Sequence, residues 1–160
     1  MKTTRLLLTT VFISAMFFPA DAQSGSEKKG EEILIKNGDN CLSLMEQAAR
    51  GMSVKGVALI AYIPGDSTTK WISKMSVVGV LRNNSANYLA IAYSKAAEMA
   101  DLYKDSGSKT RDPLHGEFGY QGGIIKKVES GYILAVFSGA SGEQDAEIAN
   151  VGVDSLYEFY

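Results

Sequence analysis

The chain has 160 residues, enough for one domain with a sizeable core. Hydrophobic residues make up 46% and charged residues 21%, an ordinary globular balance. The net charge is −2 and no block of basic residues occurs, which argues against nucleic-acid binding through a broad electrostatic footprint.

The N-terminus reads as a leader. Lys2 and Arg5 precede an apolar run from Leu6 to Phe18, and Ala20-Asp21-Ala22 is a small-x-small site. Cleavage before Gln23 would leave 14 of the 16 basic and 17 of the 18 acidic residues, net −3. The run is too short for a confident transmembrane helix and no second one follows, so no membrane span is expected after cleavage. The expectation is a periplasmic or secreted protein. Cys41 is the only cysteine, which excludes an internal disulfide, a zinc ribbon and covalent c-type haem.

The domains are then residues 1–22 (signal peptide), 23–32 (a polar, flexible lead) and 33–160 (a single folded domain). Ile33 to Ile35 reads as a short strand or the entry to a first helix. Asp39 or Asn40 is its candidate N-cap, and Leu42, Met45, Ala48, Ala49 and Met52 follow at helical spacing. Cys41 is a first-turn packing residue in this pattern. Gly56 to Ile63 is a near-continuous apolar run bounded by Gly and Pro, the signature of a strand covered on both faces. After the Pro64–Ser67 turn, Trp71 to Leu81 is the return strand, with Gly79 marking a bulge or close approach.

Asn84 or Ser85 is the candidate cap of a second helix, in which Tyr88, Ile91, Ala92, Lys95, Ala96, Met99 and Tyr103 follow at three- and four-residue steps, the apolar members facing the sheet. Lys109 to Tyr120 is a loop holding a Pro, two Gly and the only histidine. Ile124 to Val128 and Tyr132 to Phe137 form a second hairpin around Ser130-Gly131. Ser141 and Gln144 fit a capping box for a last helix running to the C-terminus, with Asp145, Ile148, Ala149, Gly152, Leu156 and Phe159 on one face. The order α-ββ-α-ββ-α predicts an α/β (α+β) domain in which two hairpins form one antiparallel sheet with three helices.

Two stretches carry a resemblance. One is Ala90–Ala96, similar to an A-x-x-K-A helix at Ala92 and Lys95-Ala96. The other is Gly122-Gly123-Ile124-Ile125, then Gly131–Val136, then Ser138-Gly139-Ala140-Ser141-Gly142-Glu143-Gln144-Asp145. Together they resemble the GlcG/HbpS family, the haem-binding or haem-degrading domain that includes the C-terminal domain of PduO. The chain departs from that pattern at Ile125, where the family has Pro, and in the first hairpin, which lacks the D-x-x-G-x-L turn. The resemblance implies a profilin-like sheet, a homo-oligomer, and haem or another tetrapyrrole as ligand.

For haem, the resemblance directs attention to His115 as an axial ligand, alone or paired across a dimer. Tyr120, Gly122, Gly123 and Lys126 join it as candidate cofactor-binding residues. Lys126 and Lys127 are candidate partners of propionates. Tyr62, Tyr93, Met75 and Met99 are fallback donors that also fit structural patterns. No GxSxG, HExxH or Walker loop occurs, and Glu143 and Asp145 are accounted for by helix capping. The expected function is an exported haem- or tetrapyrrole-binding protein in haem sensing, storage or breakdown. The alternative is a cofactor-free oligomeric interaction module on the same fold.

Overall fold

A computed structural model of the protein describes residues 25–160. The expected leader, residues 1–22, and the first two residues of the polar lead, Gln23 and Ser24, lie outside the described residues. Three helices and four strands follow in chain order: α1 (Gly25–Gly51), β1 (Gly56–Pro64), β2 (Ile72–Val78), α2 (Tyr88–Leu102), β3 (Gly123–Val128), β4 (Gly131–Ser138) and α3 (Gly142–Tyr157). The strands form one antiparallel sheet in the order β2-β1-β4-β3. This is the α-ββ-α-ββ-α, α+β arrangement that the sequence predicts.

The apolar runs explain the sheet order. β1 is buried along its whole length and β4 nearly so, because both are central and covered on both faces. Alternate residues divide between two cores. Ala58, Ile60 and Tyr62 of β1 point to the layer made by α1 and α3, together with Leu34, Met45 and Ile148. Val57, Leu59, Ala61 and Ile63 point to α2, where Ala92 and Ala96 let the helix sit close and Met99 fills the remaining space. Edge strand β2 is only half-buried over most of its length, in keeping with its polar Ser73 and Lys74.

The first helix corrects the sequence reading. Gly25 to Glu32 are not a flexible lead but the first turns of α1, which runs for 27 residues. Asp39 and Asn40 therefore lie mid-helix, and Asp39 accepts a 2.8 Å hydrogen bond from Lys74 Nζ. Of the two glycines that suggest flexibility, Gly30 is a packing position, whereas nothing lies within 4 Å of a carbon added at Gly25. A Cβ on Gly30 would lie 2.3 Å from Tyr62 Cζ, so only glycine lets the helix rest on that ring. The C-terminus locks the same turn: Tyr160 stacks on Tyr62 at 5.4 Å, and its hydroxyl donates to the Gly30 carbonyl at 2.6 Å. The last helix stops at Tyr157, so Phe159 and Tyr160 form a short tail folded back onto α1.

The caps also move. Asn87, not Asn84 or Ser85, caps α2, accepting from the Ala90 N–H at 3.1 Å. Asn83 shapes the approach, its Oδ1 accepting from the Ser85 and Ala86 amides. Ser141 and Gln144 form the expected capping box at α3.

Glycine packing on α1 has a direct test. Gly30→Val is expected to destabilise the protein by about 1–3 kcal/mol through overpacking against Tyr62. Gly51→Ala, where nothing lies within 4 Å of the added carbon, is expected to be neutral or stabilising by up to about 1 kcal/mol. Urea unfolding midpoints check both, and an unchanged midpoint for Gly30→Val contradicts the packing role.

Candidate functional site

The candidate site grows out of a buried ion pair. Lys95 lies on the sheet-facing stripe of α2 and Asp145 on that of α3. Lys95 Nζ meets Asp145 Oδ2 at 2.7 Å, with the two side chains only 2% and 5% exposed. The same ammonium donates to the Phe137 carbonyl at 2.8 Å. Asp145 Oδ1 accepts from the Ala140 N–H at 2.9 Å, and the carboxylate is also held by the Gly139 amide. The pair thus joins helices from opposite faces of the sheet around the end of β4. Burial pushes the Lys95 amine below its ordinary value and the Asp145 carboxyl above its own, while each charge opposes the shift of the other.

Gly122 exists in this form because of the pair. Its φ is +121°, and a Cβ there would lie 2.4 Å from both Asp145 Cβ and Lys95 Nζ. Gly123 is equally confined, with Met99 Sδ 2.3 Å from the position of a Cβ. Both glycines close over the interior.

The long connection from α2 to β3 is pegged to α2 by a polar stripe. Ser94 Oγ accepts from the Phe118 N–H at 2.9 Å, and Glu98 Oε1 from the Gly107 N–H at 3.0 Å. Asp101 takes a 2.6 Å bond from Arg111. Arg111 also grips Glu117 with two bonds of 2.7 and 3.0 Å. At the start of the connection, Asp105 and Ser106 accept from the Ile125 and Gly123 amides, covering the outer edge of β3.

Between this connection, the start of α2 and the start of α3 lies a cleft of about 600 Å³. Lys95 and Asp145 line it. Tyr88, Ile91 and Tyr120 supply its apolar surface, Gly139 and Gly142 bare backbone, and Lys109 a further positive charge. Tyr120 is half-exposed and stacks on Phe118 at 5.5 Å.

The predicted site residues separate. Tyr120 lines the cleft, and Gly122 packs against the Lys95–Asp145 pair. Gly123 is buried at the start of β3. His115 does not join them. It occupies the exposed corner of a turn closed by the Glu117 N–H and Leu114 carbonyl at 2.9 Å, outside the cleft lining. Lys126 is also outside it, paired with Asp154 of α3 at 2.5 Å and lying over the Tyr157 ring. Lys127 pairs with Asp66. Tyr62 and Met99 are core residues, and Tyr93 sits beside Trp71. Cys41 is fully buried and burial pushes its thiol up, as suits a packing residue.

Haem iron tests the cleft's donor set. The lining holds no His, Cys or Met, so Tyr88 and Tyr120 are its only residues of iron-ligating type. His-led ligation inside the cleft does not fit. Among the described residues, no group of three or more His, Cys, Asp or Glu is placed to hold a metal.

Sequence reasoning missed the pairing of Lys95 with Asp145. Lys95 keeps step with the apolar stripe of α2 and Asp145 shares a face with Ile148 and Ala149, and a charge within an apolar stripe is the signal that it needs a buried partner. The polar stripe Ser94, Glu98, Asp101 has helical spacing and was equally visible.

The sheet order and the covering helices make an α+β domain, a fold shared with a solved DUF336 protein. Among solved structures the chain is similar to Klebsiella pneumoniae protein ORFY, described with the family model DUF336. The match covers 78% of this chain and 90% of that one at a TM-score of 0.53 and 15% identity. It is also matched to Ybr137w protein, with 84% and 88% covered, a TM-score of 0.48 and 13% identity. The likeness is one of fold. No protein-family model and no curated protein matches the sequence.

Two stability tests follow from this geometry. Lys95→Met leaves a buried carboxylate without its cation and is expected to cost about 3–5 kcal/mol. Adding Asp145→Asn, which removes the charge but keeps an acceptor for Ala140, is expected to recover most of that loss in urea unfolding. A double variant no more stable than the single one contradicts the pair. Separately, the bonds from Arg111 hold the Glu117 carboxyl below its ordinary value of 4.5. Its contribution is therefore present above that pH and lost as pH falls through the lowered value. The stability difference between wild type and Glu117→Gln is expected to be constant above pH 4.5 and to shrink in stronger acid. A difference that stays flat contradicts it.

Proposed function

We propose that the protein is an exported ligand-binding module that takes a flat organic molecule, of which a tetrapyrrole is the first to test, in the cleft beside Lys95 and Asp145. The observation that carries this is the cleft itself. It is about 600 Å³, with Tyr88, Ile91 and Tyr120 in its lining beside polar Asn83, Lys95, Lys109, Gln121, Ser138 and Asp145. Export rests on the leader pattern of residues 1–22. A tetrapyrrole is supported by the motif resemblance and by the aromatic lining. Because His115 lies outside the lining, recognition is of the ring system and not of an iron held by that histidine.

The alternative, a cofactor-free oligomeric interaction module, is favoured by one feature. Val77, Leu81 and Tyr93, on or near edge strand β2 and the exposed side of α2, are apolar and more than one-third exposed. Light scattering on ligand-free protein distinguishes a self-associating module from a monomeric binder.

The ligand test is a titration of hemin and of iron-free protoporphyrin IX into protein beginning at Gln23. Both are expected to bind with similar affinity and to be indifferent to His115→Ala. Tyr120→Ala is expected to weaken both by about threefold to tenfold, the range of a lost aromatic contact. Binding of hemin alone, abolished by His115→Ala, contradicts the cleft as the site. Binding of neither porphyrin removes the tetrapyrrole proposal.

A further inference from the structure

We infer that the polar end of the cleft is a subsite for a carboxylate oxygen of the ligand, received by Lys95 Nζ. This rests on the cleft being the binding site proposed above. An ammonium carries three N–H donors. Two are used, by the Phe137 carbonyl at 2.8 Å and Asp145 Oδ2 at 2.7 Å. The third has no acceptor among the described residues. Lys95 is 2% exposed yet lines the cleft, so the cleft is the side from which a ligand oxygen or a water reaches that donor.

Asp145 does not compete for the same role. Lys95 occupies one of its oxygens, and the Ala140 and Gly139 amides hold the carboxylate from the other side. The pair therefore offers an unused donor, while both Asp145 oxygens already accept a hydrogen bond. Charge then selects among ligand oxygens. Lys95 and Asp145 cancel, and the one other charged residue lining the cleft is Lys109. Lys109 forms no ion pair or hydrogen bond among the described residues. Its φ of +55° is a conformation that a non-glycine residue holds only where the surroundings impose it. Two residues before it, the Gly107 amide is fixed by Glu98. The lining is thus net positive, and an anionic acceptor gains more there than a neutral one. With Tyr88, Ile91 and Tyr120 along the walls, the fitting ligand is a flat ring system bearing a carboxylate at one end.

The test compares 2-naphthoate with 2-naphthamide, which share a ring and differ in charge. Calorimetry gives affinities, and amide shifts at Gly139 and Gly142 locate binding. The carboxylate is expected to bind about tenfold more tightly than the amide, the margin of a charge-assisted over a neutral hydrogen bond. In Lys95→Met/Asp145→Asn, which replaces the charged pair with neutral groups, the two probes are expected to bind alike. Lys109→Gly, which removes a charge and suits the backbone, is expected to reduce the preference even if the double variant does not fold. Equal affinities in wild type, with shifts at Gly139 and Gly142, overturn the carboxylate subsite and leave the cleft as a binding site. Failure of both probes overturns the subsite. If protoporphyrin IX fails as well, the cleft itself is not the site.

Discussion

The arrangement of this protein's polar end depends on the buried contact between Lys95 and Asp145. Placing two charges where neither is more than 5% exposed is costly, and their mutual attraction offsets that cost only when the geometry is good and the remaining polar atoms are satisfied. Here the Phe137 carbonyl and the Ala140 amide complete most of the set. Such a pair contributes less to net stability than to specificity. An apolar substitute could hold α2 and α3 together, but it would not dictate which residues meet. The pair fixes how the N-terminus of α3 sits relative to the middle of α2, across the end of β4.

Much of the neighbouring chain answers to that constraint. Gly122 has no side chain because one would collide with both charged groups. The connection preceding it cannot wander, since Ser94 and Glu98 bind its amides and Asp101 binds its arginine. Arg111 and Glu117 then give this connection its own internal brace. The outcome is a cleft whose walls come from three segments distant in sequence and whose floor is a charged pair. The connection is a loop on a rigid support, with α2 as that support. Exposed Phe118 stacks on Tyr120, which lines the cleft.

The fold was largely legible in the residues, and the reasons are local. The unbroken apolar runs of β1 and β4 identify central strands, and Ser141 with Gln144 marks the start of α3 within a residue. The beginning of α1 was not legible, because glycine and charge in residues 25–32 look like a flexible lead. Only the position of the Tyr62 ring shows why glycine is required at 30. The site was half legible. Tyr120 was picked from its loop and does line the cleft. His115 was picked on chemical type alone, and chemical type says nothing about which way a turn presents its corner. Lys95 keeps the spacing of an apolar stripe and Asp145 shares a face with apolar residues, but helix capping alone accounts for Asp145 in the sequence. What joins them is a contact across 50 residues, which no local pattern encodes.

The central claim is that Lys95 is a buried ammonium bound to Asp145 at the floor of the cleft. NMR spectroscopy of protein labelled with nitrogen-15 at the lysine side chains observes it directly. The account predicts one lysine ammonium signal protected from solvent exchange, absent in Lys95→Met and displaced in Asp145→Asn. Fast exchange at every lysine ammonium, or a protected signal indifferent to Asp145→Asn, would contradict it.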